Sequence, residues 1–471
     1  MSGKQVINPY LPNWEYVPDG EPYVFGDRVY VYGSHDFFGG DVYCMGDYVC
    51  WSAPAGDLGD WRYEGVIYRK EQDPRNADLQ GNLYAPDVAV GPDGRYYLYY
   101  VLSNRGTVSV AAADHPAGPF EYCGDVHYPD GTLLGEKEGD EPQFDPGVLR
   151  EGDRVYLYTG FCGNGDRSRH GAMATVLEKD MLTVSEAPKF VAPGVMYCEG
   201  TGFEGHAFFE APSIRKRGDL YYFIYSSIQF HELCYAVSRE PTGGFEYKGV
   251  IISSCDKGIS SYKPADKPMY YTANNHGSME KIGDDWYIFY HRHTNGTNYS
   301  RQGCFEKLAF NDDGTIRQAE MTSCGSVRPL RGEGKYPAYI ACHLFTDTEM
   351  TYVPWSGWMD DRFPKITQEI EEGGKGIGYI ANMRNSATAG FRYFDCRDVR
   401  KIRVRTKGYA SGRMEVRTAW DGEAIGAVPV RGGNVWRDTE AEIPVPDGVQ
   451  SLYFTFAGQG HLQFAGFELC R

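Results

Sequence analysis

Five segments of the chain repeat one pattern: a Gly/Asp turn followed by an aromatic-rich, alternating run. They are GDRVYVYGS from Gly26, DGRYYLYYV from Asp93, GDRVYLYTG from Gly152, GDLYYFIYS from Gly218 and DDWYIFYHR from Asp284. Their anchor tyrosines are Tyr30, Tyr97, Tyr156, Tyr222 and Tyr287, at intervals of 67, 59, 66 and 65 residues. A Gly-Asp or Asp-Gly pair followed by strict alternation is a hairpin signal, because glycine supplies the positive φ that a tight turn needs. A period of this size suits a four-stranded blade with long loops, and five such blades close into a β-propeller. A non-circular sandwich with Tyr-rich strands would leave the even spacing unexplained.

Ahead of each hairpin one polar residue recurs. Counted back from the residue three before each anchor tyrosine, the offsets are 8, 7, 8, 9 and 8, landing on Asp19, Asp87, Asp145, Glu210 and His276. For one blade alone, a strand-end Asp that makes an Asx-turn is the simpler reading. It does not explain five. The first strand of a propeller blade lines the central channel, so these five positions converge at one mouth. Converging carboxylates repel one another, which raises some pKa values and leaves other groups ionised. That is the condition for a general acid and a general base in one site, as glycoside cleavage requires.

The composition agrees with a soluble-type fold of many short strands. Tyr 37, Phe 24 and Trp 8 make 15% aromatic residues, with Gly 58 and Pro 26 for turns. A net charge of −17 disfavours nucleic acid as a partner and leaves neutral ligands such as sugars open. No apolar run reaches transmembrane length, and the first residues, MSGKQVINPY, lack the apolar core of a signal peptide, so a cytoplasmic location and no membrane partner are expected. The 12 cysteines include no CxxC pair and read as reduced, mostly buried thiols.

As an ordered set, PDGEPYVFGDRVYVYGS, YAPDV, FDPG, FEAPSIRKRGDLYYFIYSS and NHGSMEKIGDDWYIFYHR resemble glycoside hydrolase family 43. The resemblance spans residues 8 to 325. It implies a five-bladed propeller of inverting enzymes, with Asp19 as general base, Glu210 as general acid and Asp87 orienting the acid and raising its pKa. The first motif reads Asp-Gly-Glu-Pro where Asp-Pro is usual, so Glu21 is the alternative base. Tyr84 stands where the family has Trp. Asp145 reads as structural or sugar-contacting, with Phe144 beside it lining the pocket. Arg301 sits where the family places a sugar-contacting Arg, against a solvated surface role. His276 is implied to lie in the channel near a structural calcium, reached through water, and no cofactor is required. His291 and His293 share a strand face, which suggests zinc only if a third ligand joins them. Trp51, Tyr84 and Trp286 read as packing first and sugar-stacking second.

The fivefold pattern stops near Cys324. Residues 1–325 are therefore the propeller, 326–341 a linker, and 342–471 a β-sandwich of jelly-roll type, resembling from Lys401 a family 6 carbohydrate-binding module. Trp436 and Tyr453 there read as core residues or glycan binders. The resemblance implies an exo-acting α-L-arabinofuranosidase or β-xylosidase on plant-derived oligosaccharides. The alternatives are an endo-arabinanase of the same family and a non-catalytic sugar-binding propeller.

Overall fold

The structure is a computed structural model that describes residues 4–348, 362–370 and 376–471. The first two thirds form a five-bladed propeller. Blade 1 holds Glu21–Phe25, Arg28–Tyr32, Tyr48–Pro54 and Arg62–Tyr68. Blade 2 holds Asp87–Val90, Tyr96–Val101, Val108–Ala113 and Glu121–Asp125. Blade 3 runs Gly147–Glu151, Arg154–Thr159, Gly171–Leu177 and Val184–Pro193; blade 4 runs Phe208–Arg217, Leu220–Ser227, Glu232–Ser238 and Glu246–Ser253. Among the described residues blade 5 has three strands, Met279–Ile282, Asp285–His293 and Arg301–Lys307. Each sheet is antiparallel in chain order.

The repeated turns behave as the sequence predicts. Gly26, Gly152, Gly218 and Gly283 open two-residue loops at φ of 59 to 64°, and Gly94 lies at 82°. The abundance of tyrosine has a geometric cause. A ring on the second strand fills the space between blades, and its hydroxyl reaches a loop carbonyl of the next blade. Tyr32 bonds Pro116 at 2.6 Å, Tyr99 bonds Met181 at 2.7 Å, Tyr158 bonds Pro241 at 2.5 Å and Tyr222 bonds Gly314 at 2.8 Å. One residue type thus supplies apolar area and a satisfied polar tip at four of the five blade junctions.

The ring closes through the beginning of the chain. The Tyr10 amide donates to the Gly303 carbonyl at 3.3 Å, and the Asn8 amide to Ser323 at 3.0 Å. The buried Asn8 side chain donates to the Phe305 carbonyl at 2.8 Å and accepts from the Phe305 amide at 3.1 Å.

The C-terminal part is a β-sandwich of two sheets. One orders Leu330–Arg331, Thr388–Cys396, Gly448–Gly460, Ala410–Arg417 and Gly426–Val430; the other orders Lys365–Gln368, Gly378–Met383, Leu462–Cys470, Lys401–Gly408 and Gly433–Glu442. The expected linker at 326–341 is not a free connection. Leu330–Arg331 pairs with Thr388–Cys396 and Gly334–Pro337 pairs with Leu462–Cys470. Short Gly- and Pro-flanked strands of this kind carry too little alternation to be read as strands from sequence.

One apolar core runs from Tyr222, Ile224 and Ile288 in the propeller to Phe391, Phe454 and Phe464 in the sandwich. At the junction the fully buried pair His343–Asp256 is joined at 2.9 Å, and Tyr262 donates to Asp256 at 2.7 Å. The Arg392 guanidinium lies 3.9 Å over the Tyr262 ring and pairs with Glu320 at 2.7 Å. Tyr453 is buried and contacts His343 at 3.2 Å, so it belongs to this core. Trp436 is half-buried, donates to Glu369 at 2.9 Å and has the Lys407 ammonium 4.5 Å over its ring. All cysteines are free thiols, and all but Cys123 and Cys470 are buried.

Candidate active site

The channel mouth opens into a cavity of about 620 Å³ that includes Asp19, Asp145, Glu210, His276 and Arg301 in its lining. Local backbone geometry aims these groups. Asp19 and Asp145 each stand two residues before the innermost strand of their blade, with φ of 57° and 45°. Aspartate tolerates this left-handed region better than most residues. Glu210 lies within the inner strand of blade 4, but the register with the next strand shifts on both sides of it, and Ala211 has φ of 62°. Such a bulge turns a side chain away from the regular alternation.

Asp19 is only 3% exposed; Arg301 donates to its carboxylate, and its own amide donates to His291 Nδ1 at 3.3 Å. Its Oδ1 lies 2.9 Å from Arg301 Nη1, 3.2 Å from His291 Nδ1 and 3.7 Å from His276 Nδ1. Burial opposes its charge, but Arg301, with His291 and His276, holds its carboxyl well below the usual carboxylate range. Glu210 has the opposite surroundings. Burial and the nearby Asp19 charge push it up to about 7, against the pull of Arg301 and Asn274. Asp145 is also pushed up, by burial and by the charges of Glu210 and Asp19. Its Oδ2 accepts from the Ala211 amide at 3.2 Å and lies 3.7 Å from His276 Nδ1. His276 thus stands between the two aspartates, and burial pushes its imidazole down to about 4, so it is neutral there at pH 7.

Arg301 is buried, which rules out the solvated surface role. Asp36 grips it at 2.8 Å through Nε and 3.1 Å through Nη2, leaving Nη1 for Asp19. Tyr43 supplies a ring 4.8 Å from the guanidinium. The aromatic wall is a chain of ring contacts from Tyr84 to Phe144, Phe161, Phe209 and Phe230, with centroids 4.9 to 5.7 Å apart.

Two sequence assignments change. Asp87 does not line the cavity. Its carboxylate accepts from Tyr23 and the Val88 and Val148 amides, each at 2.7 Å. It ties three blades together, because it is the first residue of its strand and keeps a regular strand direction. Asp145 is the carboxylate beside Glu210. Glu21 is likewise absent from the lining and pairs with Arg215 at 2.7 Å. The alternative base therefore falls away.

His291 and His293 do neighbour each other, but His291 is committed to Asp19 and, at 3.0 Å, to the Asn274 carbonyl. Around His276 the protein offers one imidazole and two carboxylates already held in the site. Below them Arg215 supplies a cation among Glu21, Glu280 and Tyr23. Calcium takes about six to eight oxygens, water included, so a calcium beside His276 would draw most of its shell from water. Trp51 and Trp286 pack into apolar clusters.

Residues 16–316 match the family described as Glycosyl hydrolases family 43. The chain belongs to that family. A xylosidase/arabinosidase of Thermoclostridium stercorarium is 61% identical over 469 residues, covering 99% of each chain. A xylosidase/arabinosidase of Bacteroides ovatus is 28% identical and covers 65% of this chain and 96% of its own. Among solved structures, a family 43 β-xylosidase/α-arabinofuranosidase from a compost metagenome, in complex with xylotriose, has a TM-score of 0.52 at 25% identity over 68% of this chain and 98% of its own. A family 43 arabinoxylan arabinofuranohydrolase from Bacillus subtilis shares the fold over 99% of both chains at TM-score 0.52 and 21% identity. As a family 43 member the protein is a glycoside hydrolase built on a propeller with an appended β-sandwich.

Proposed function

We propose that this glycoside hydrolase is exo-acting and inverting, and releases arabinofuranose or xylose from plant-derived oligosaccharides. The observation that carries this reading is the opposed proton affinity of Asp19 and Glu210 in one cavity. Asp19 stays ionised and takes a proton from water. Glu210 stays protonated to about pH 7 and gives its proton to the leaving oxygen. Asp145 accepts from the Ala211 amide at 3.2 Å and so fixes the strand that carries Glu210. It takes the modulating role that the motif alone assigned to Asp87. In a single displacement the two carboxyls flank the sugar about 6.5–9.5 Å apart, with water between base and anomeric carbon. Arg301 keeps Asp19 ionised, and Arg301 and the neutral His276 face the innermost sugar. Tyr84 and Phe144 stack against the sugar ring. The xylosidase/arabinosidase names of the relatives support a pocket that accepts both pentoses.

The test is hydrolysis of p-nitrophenyl α-L-arabinofuranoside and β-D-xyloside by wild type, Asp19→Ala and Glu210→Ala, with the product anomer read by NMR. Aryl leaving groups need little acid help, so Asp19→Ala is the more damaging change on these substrates. Product of inverted configuration supports the reading. Retained configuration overturns the single displacement, and internal cutting of linear arabinan overturns exo action.

A further inference from the structure

Blade 4 carries a second group of chemistry-bearing side chains, separate from the carboxylates of the cavity. Glu232 and Cys234 lie on one face of the strand Glu232–Ser238, as residues two apart must. His206 comes from the turn that precedes the inner strand, its amide bonded to the Phe203 carbonyl at 3.0 Å. The three meet: His206 Nδ1 is 2.6 Å from Glu232 Oε1, and Cys234 Sγ is 3.4 Å from Glu232 Oε1 and 3.9 Å from His206 Nδ1. Glu232 and Cys234 are buried, while the His206 side chain is 35% exposed. Among the described residues this is the one group of three or more His, Cys, Asp or Glu side chains whose ligand atoms converge this closely.

We propose that His206, Glu232 and Cys234 bind a thiophilic divalent cation of the zinc class. Around a tetrahedral zinc with bonds of about 2.0–2.3 Å, ligand atoms stand about 3.3–3.6 Å apart. The two sulfur separations are close to this, and the His206–Glu232 pair has only to open by about 0.7 Å. A thiolate, an imidazole and a carboxylate form a mixed soft set that zinc accepts and that magnesium or calcium does not favour. Zinc takes four ligands, so a water completes the set. Binding forms one bond each to sulfur, nitrogen and oxygen and involves no redox change. The Cys234 thiol proton goes to solvent. The Nδ1 hydrogen that bridges to Glu232 also leaves, and the ring keeps its hydrogen on Nε2.

The position has a consequence for the cavity. Gln229 and Phe230 line it and lie just ahead of Glu232. The Ile228 amide bonds the Ala207 carbonyl at 3.0 Å, and the Gln229 side chain bonds the Gly205 carbonyl at 3.1 Å. A cation held by both segments pins this part of the rim.

The test uses the full chain, with Co²⁺ as an absorbing probe and Zn²⁺ in calorimetry. Wild type is expected to bind one equivalent, with a thiolate-to-cobalt charge-transfer band. In C234S the band disappears. In C234S and H206A zinc binding weakens by at least about tenfold. H206A alters a partly exposed side chain and keeps the test open if C234S fails to fold. Absence of both signals in wild type overturns the proposal. So does unchanged binding in either variant, as would follow if the exposed Cys123 were the ligand.

Discussion

Arg301 Nη1 lies 2.9 Å from Asp19 Oδ1, and the other two guanidinium nitrogens are held by Asp36. The cation is therefore fixed where the base needs it before any sugar arrives. Replacing it by a neutral side chain of similar length, Arg301→Met, leaves Asp19 facing only the two histidines. The carboxyl then protonates at higher pH, and the acid limb of the rate profile moves up. We expect kcat/KM near neutrality to fall about 10²- to 10⁴-fold, the range for loss of a working general base. A thermal melt of the variant separates this from unfolding.

The wild-type pH profile follows from the two carboxyls. Glu210 must be protonated, and burial with the Asp19 charge places it at about 7. Hydrolysis of unactivated oligosaccharides is expected to fall as pH rises through that value. Asp19 is held below the usual carboxylate range, so no acid limb appears at ordinary carboxylate pH. On p-nitrophenyl glycosides the alkaline limb should flatten, because that leaving group does without the proton. A steep alkaline fall on both substrate types would count against Glu210 as the acid.

Asp145 and Asp87 can be told apart. In Asp145→Asn the group that holds the Ala211 amide beside Glu210 is altered, so the alkaline limb is displaced and oligosaccharides suffer more than aryl glycosides. Asp87→Asn instead weakens bonds among three blades, at a cost of about 1–3 kcal/mol in stability. Its folded fraction keeps the wild-type limb. Rate profiles and denaturant melts of both variants decide, and the reverse pattern would return the modulating role to Asp87.

The His343–Asp256 pair predicts a pH dependence of stability. Burial opposes the Asp256 charge, yet His343, the Met321 amide and Tyr262 lower its pKa below the ordinary value. Its contribution is therefore complete above the unfolded carboxylate pKa and is lost as pH falls through the lower folded value. His343→Ala removes one of the hydrogen-bond donors to this carboxylate and should cost about 1–3 kcal/mol at neutral pH. Thermal melts across pH would show it, as a deficit that shrinks in acid.

Phe230 stands at the exposed end of the aromatic chain, 43% exposed and 4.9 Å from Phe209. Phe230→Ala is expected to raise KM about fivefold for a pentose trisaccharide, the loss of roughly 1 kcal/mol of stacking. KM for the aryl monoglycoside should hardly change. Equal effects on both would place Phe230 at the innermost sugar instead.

The propeller was legible because Gly-Asp loops pin the register of each hairpin and thus the offset of the residue ahead of it. That offset led to Asp19, Asp145, Glu210 and His276. It could not separate Asp145 from Asp87. The difference lies in whether the aspartate sits ahead of the strand at positive φ or begins it, and both write the same Asp near a proline in sequence. Tyr43, Phe161 and Phe230 come from the connections between the second and third strands of blades 1, 3 and 4, and Asn274 from the one ahead of blade 5; these connections differ in length and sequence, so periodicity gives no handle on them. Asp36 and His291 act through Arg301 and Asp19. Phe209 was the one missed wall residue with a signal, adjoining Glu210 in the quoted motif. The strands at 330–337 escaped because their partners lie more than sixty residues away in sequence.

The seam at Asn8 and Tyr10 also sets an order of events during synthesis. Their partners are Gly303, Phe305 and Ser323, so the ring stays open until nearly the whole propeller has left the ribosome. Blades made from adjacent hairpins can form as they emerge, whereas this seam is the contact of greatest sequence separation in the domain and is made last. Until then the first segment has to wait unpaired beside four growing sheets. A fusion partner that occupies residues 8–10 would be felt as a failure of maturation long before it could affect catalysis.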